Sequence, residues 1–89
     1  MSSFLRRENS RVNDLTFDVE LDVRRLACPL PILRAKKALA FMSSGQVLKV
    51  VATDKGSPKD FVDFCGKTGN DLLSSTEQGG EFIFLIRRR

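Results

Sequence analysis

A chain of 89 residues, 42% of them hydrophobic, makes one self-folding domain but is too short to enclose a roomy pocket, which excludes deep-pocket enzymology. The absence of histidine removes Cys-His and Ser-His-Asp catalysis and the common histidine zinc sites. The net charge of +4, from 15 basic and 11 acidic residues, gathers in the N-terminal segment, around Cys28 and at Arg87 to Arg89, which suits an acidic protein surface or RNA as partner.

Residues 1–14 are polar and without periodicity and read as a flexible N-terminal tail; residues 15–89 carry the domain. The tail holds Arg6, Arg7 and Arg11 but no long apolar stretch, so it is not a secretory signal. No apolar run approaches bilayer length, so the chain is expected to be soluble, cytoplasmic and without a membrane partner.

From Thr16 to Val23 apolar and polar residues alternate strictly. Phe17, Val19, Leu21 and Val23 fall on one face, and Thr16, Asp18, Glu20 and Asp22 on the other. This is a one-sided strand, and its acidic face implies that helices cover only one side of the sheet. Next comes Cys28-Pro29-Leu30-Pro31. Proline fits the first helical turn, where its missing N–H has no partner to lose. Cys28 is therefore expected near an N-cap, where free amides and the helix dipole favour a thiolate, and a reachable cysteine of low pKa is the expectation. Pro29 and Pro31 shape this site, and Arg24, Arg25 and Arg34 are candidates for supplying positive charge or binding a partner.

Pro29 to Met42 reads as an amphipathic helix with Ile32, Leu33, Ala35, Ala38, Leu39 and Met42 on its apolar side and Arg34, Lys36 and Lys37 opposite. Ser43-Ser44-Gly45 stops it, and Gln46 to Thr53 is a β-rich run, which makes a parallel β-α-β crossover the simplest arrangement. Ser57 is the expected cap of a second helix and Pro58 its first residue. Phe61, Val62, Phe64 and Cys65 form the apolar stripe, and Gly66 and Gly69 bound the end. Cys65 is assigned to the core beside these aromatics. Asp60 and Asp63 read as the solvated face of this helix. Asp71 to Glu77 and Glu81 to Arg88 then form a hairpin around Gln78-Gly79-Gly80.

The expected fold is α/β: a two-layer sandwich in the order βαβαββ, with a mixed four-stranded sheet and two helices on one face. Cys28 lies at the carboxyl end of the first strand, the edge where open α/β sheets often place function. Cys28 and Cys65 are too far apart in sequence for a Cys-x-x-Cys motif, and no metal constellation or phosphate loop is present, so no cofactor is expected.

Leu21-Asp22, Leu26, Cys28-Pro29-Leu30-Pro31 and the closing Phe84-Leu85-Ile86-Arg87, taken in this order, resemble the TusA/SirA-like sulfur-carrier family over about residues 15 to 88. One departure is Arg25, where many relatives have glycine. The resemblance implies that Cys28 accepts sulfur from a cysteine desulfurase as a persulfide. It then passes that sulfur to an acceptor protein, in routes such as tRNA thiolation or molybdenum-cofactor assembly. Such a carrier needs only an accessible thiolate, since its partners supply the rest of the site. The alternative from another class is a small regulatory module that binds protein or RNA without sulfur transfer. The lack of Trp and Tyr leaves no stacking platform for bases, which makes direct nucleic-acid binding the weaker reading. A third reading pairs Cys28 with Cys65 in redox chemistry and requires the two sulfurs to come within disulfide reach.

Overall fold

The computed structural model describes residues 17–89, so the flexible tail expected over residues 1–14 lies outside the described residues. Six elements follow in the expected order: β1 (Val19–Val23), α1 (Leu30–Ala40), β2 (Val47–Ala52), α2 (Ser57–Thr68), β3 (Asp71–Gln78) and β4 (Glu81–Arg87). The sheet runs β1-β2-β4-β3, with β1 and β2 parallel and the other two pairings antiparallel. It is thus the mixed four-stranded sheet expected.

Both helices bury into one core. Ala35 and Leu39 of α1, Phe61 and Cys65 of α2, Leu48, Val50 and Ala52 of β2, and Phe84 and Ile86 of β4 form a single cluster. Alternation along β2 and β4 sends these residues to one side of the sheet, and both helices lie there. Phe61 stacks on Phe84 with ring centroids 4.6 Å apart and meets Phe64 edge-on at 6.3 Å, so one aromatic joins α2 to a central strand and to its own next turn.

Local chemistry explains the boundaries. The hairpin closes through Gly79 (φ 60°) and Gly80 (φ 84°), the left-handed pair that a two-residue type I′ loop requires. Gly69 (φ 83°) ends α2 and donates its N–H to the Cys65 carbonyl at 2.9 Å. The start of α2 lies one residue earlier than expected. Ser57 is its first residue rather than its cap, Gly56 is the cap, and Asp54 accepts from the Gly56 N–H at 3.1 Å.

Two apolar positions depart from the sequence reading. Leu33 is 52% exposed and Val62 is 56% exposed, because the buried rows of α1 and α2 follow Pro31-Ala35-Leu39 and Ser57-Phe61-Cys65, and both residues sit well round from those rows. Phe41, just beyond α1, is 84% exposed. The face of the sheet away from the helices is also less polar than β1 suggested. Glu20 and Asp22 stand on an edge strand, while Val51 and Leu85 on the inner strands are buried.

Candidate functional site

The segment from Arg24 to Leu30 carries the chain from the end of β1 into α1. Leu26 donates its N–H to the Val23 carbonyl at 3.2 Å and packs against the core, which fixes the chain at the sheet edge. Arg25 between them has φ 69°, the left-handed region, and its N–H donates to Thr53 Oγ1 just past β2 at 2.8 Å. The connection is thereby tied to the carboxyl ends of both parallel strands.

The next turn presents the sulfur. Leu30 N–H donates to the Ala27 carbonyl at 2.9 Å, across a cis Cys28–Pro29 peptide. Pro29 is the N-cap of α1 and its carbonyl accepts the first helical bond, from Leu33 at 3.1 Å. Pro31, at the second helical position, is buried. One proline therefore terminates the turn and the other pins the helix start into the core, both without leaving an amide unpaired. Cys28, one residue before the cap, is exposed and free of any disulfide.

The low pKa expected for Cys28 is not what the structure shows. Its thiol is raised above the ordinary cysteine range, first because the Asp60 carboxylate of α2 takes a hydrogen bond from it. Desolvation and the charges of Asp60 and Asp54 act in the same direction. The amides before α1 favour an anion, but two carboxylates at the start of the neighbouring helix oppose it, and a nearby full charge outweighs half a dipole charge. Asp60, read from the sequence as part of a solvated face, thus also faces the sulfur.

The three candidate arginines do not converge on the sulfur. Arg24 bridges Asp22 (2.9 and 3.0 Å) and Glu81 (3.1 Å), and this fork holds the Asp22 carboxyl down at about 2. It clamps β1 to the hairpin end of the sheet. Arg24 and Arg25 line a polar cleft of about 550 Å³ with Asp22, Thr53, Gly79, Gly80 and Glu81. Arg34 lies on the exposed side of α1.

Cys65 is buried, and its thiol is pushed up to about 11, chiefly by burial and further by Asp71. That is a structural thiol, held protonated in the core, and it offers no support to a redox pair with Cys28. Among the described residues no three Cys, Asp or Glu side chains converge to hold a metal ion.

Sequence reasoning found Cys28, Pro29 and Pro31 because they are contiguous. It did not set Asp60 and Asp54 against the sulfur, because their charges reach it from the other helix and the loop before it.

The sequence matches the family described as sulfurtransferase TusA over residues 19–88. A sulfur carrier protein TusA from Allochromatium vinosum is 64% identical over 72 residues, covering 81% of this chain and 95% of that protein. A putative sulfur carrier protein from Neisseria meningitidis is 56% identical over 69 residues, covering 78% and 93% respectively. Among solved structures, a SirA-like protein from Desulfitobacterium hafniense superposes with a TM-score of 0.71 at 26% identity, covering 79% of this chain and 96% of that one.

Proposed function

The chain belongs to the TusA sulfurtransferase family and is a sulfur carrier, and from that premise we propose that Cys28 takes up sulfur from a cysteine desulfurase as a persulfide and relays it to an acceptor protein. The observation that carries this reading is the placement of Cys28: an exposed thiol, outside any disulfide, on a turn anchored by Leu26 and Pro31.

In the loading step the Cys28 thiolate attacks the outer sulfur of the donor's cysteine persulfide. A bond forms between Cys28 Sγ and that sulfur, the donor's sulfur–sulfur bond breaks, and the donor cysteine departs as a thiolate. One sulfur moves and no net oxidation occurs. Cys28 gives up its proton to solvent, from which the departing donor thiolate recovers one, and the thiol's hydrogen bond to Asp60 is lost with that proton. The loaded group is a persulfide, more acidic than a thiol and anionic at neutral pH, so it cannot keep that hydrogen bond and is repelled by Asp60 and Asp54. Loading therefore turns the outer sulfur away from α2 and toward solvent, where the acceptor's cysteine meets it and the same exchange runs once more.

Arg24 and Pro29 act on this step indirectly, by fixing the sheet edge and the helix start. Arg25 and Arg34 are the arginines left to meet an acidic partner. Delivery toward tRNA thiolation or molybdenum-cofactor assembly is the destination consistent with such a relay. Work in the cytoplasm suits two cysteines that must stay reduced.

The test is transfer of radiolabelled sulfur from cysteine, through a desulfurase, to the wild type, Cys28→Ser and Cys65→Ser. Label on the wild type and Cys65→Ser but absent from Cys28→Ser supports the assignment; label retained by Cys28→Ser overturns it.

A further inference from the structure

The outer pole of α1 carries a stripe that the fold does not need. Leu30, Leu33, Arg34, Lys37 and Phe41 recur at three- and four-residue spacing and lie opposite the buried row Pro31-Ala35-Leu39. Leu30 is 42% exposed, Leu33 52% and Phe41 84%, so three large apolar side chains stand in water on a pole that is ordinarily polar. The helix contains Arg34, Lys36 and Lys37 and no acidic residue, and among the described residues neither Arg34 nor Lys37 forms an ion pair. From Leu30 to Phe41 the stripe runs roughly 16 Å at the rise of an α-helix, and it begins two residues from Cys28.

We propose that this pole is the docking face for the protein that exchanges sulfur with Cys28, and that the partner meets it with apolar sockets ringed by carboxylates. The proposal rests on the carrier reading above. Its occupant follows from the chemistry of the stripe. A second copy of this chain would set cationic stripe against cationic stripe, which charge repulsion opposes. An RNA backbone would pair with Arg34 and Lys37 yet leave Leu30, Leu33 and Phe41 in water. Only a surface that is both apolar and acidic satisfies the whole stripe. Phe41 is the distal anchor, a rigid aromatic of the type that dominates interfaces, and the two cations guide approach. With Phe41 and Leu33 seated, the Cys28 end of the stripe is directed into the partner, so docking also aims the sulfur.

The test compares two routes of loading in a Leu33→Ser/Phe41→Ser double variant, in Lys37→Glu and in the wild type. A cysteine desulfurase must dock to deliver sulfur, whereas inorganic polysulfide loads an exposed thiol without docking. The substituted side chains are exposed, and circular dichroism checks that each variant remains folded. The expected result is enzymatic loading slowed at least about tenfold in the double variant, the scale on which interface anchors act. Lys37→Glu slows it too, with a weaker dependence on salt, and polysulfide loading stays at the wild-type rate in all three. Enzymatic loading at the wild-type rate in both variants overturns the docking face and leaves the carrier reading intact. Loss by both routes places the effect on Cys28 itself and also overturns it. A wild type that no desulfurase loads, though polysulfide does, overturns the carrier reading and the docking face with it.

Discussion

Replacing Arg25 by glycine should stabilise the fold, and the reason lies in one dihedral angle. Arg25 has φ 69°, a conformation in which Cβ crowds the following carbonyl at a cost of roughly 1–2 kcal/mol for a residue other than glycine. Glycine removes that cost but loses more freedom on folding, which returns roughly 0.5–1 kcal/mol. The net gain is about 0.5–1 kcal/mol. What the site needs from this residue is its N–H, which donates to Thr53 Oγ1, and glycine keeps it. In a domain this small each kcal/mol moves the melting temperature by roughly 4–8 °C. Thermal unfolding followed by circular dichroism should therefore show Arg25→Gly melting higher by a few degrees. Arg25→Ala is the control: it removes the same charge but retains Cβ, so its melting temperature should stay at or below that of the wild type. Equal gains in both variants would trace the effect to charge and refute the backbone argument, as would a loss in Arg25→Gly.

Asp60→Asn removes the carboxylate that most raises the Cys28 thiol, so the pH profile of Cys28 alkylation should move to lower pH; an unmoved profile contradicts the contact. Cys65, raised from 9.0 to about 11 in the fold, keeps its proton more firmly folded than unfolded. Its contribution to stability is complete below pH about 9 and is lost as the pH climbs toward about 11. Denaturant midpoints across that range should fall in the wild type and fall less in Cys65→Ala. Phe84→Ala opens the centre of the core beneath Phe61 and should cost about 3–5 kcal/mol in urea unfolding; a loss under 1 kcal/mol, about what a surface change produces, is incompatible with the stacked geometry.

The elements were legible wherever local chemistry decides them. Strict alternation marked β1, two glycines marked the hairpin, and proline marked the start of each helix to within a residue or two. The motif around Cys28 was legible for the same reason, being four contiguous residues. Contacts between elements were not. Asp60 reaches Cys28 because two helix starts meet at one sheet edge, and nothing within α2 alone reveals that meeting. Leu33 and Val62 misled because a helical period places residues on a wheel without saying how wide an arc the neighbours cover. Arg25 stood out in sequence only as a departure from glycine, and the backbone supplies the reason that glycine suits the position. Arg24 is held by Asp22 and Glu81, and the Glu81 half of that pairing is made across the fold, where no local reading of the sequence reaches.

The central claim, that Cys28 carries transferable sulfur, is tested most directly by intact-protein mass after incubation with a cysteine desulfurase and cysteine, with and without reductant. The account predicts a gain of one sulfur in the wild type and in Cys65→Ser, removed by reductant and absent from Cys28→Ser. A folded wild type whose thiols are free but whose mass never changes, or a gain that persists in Cys28→Ser, would contradict it.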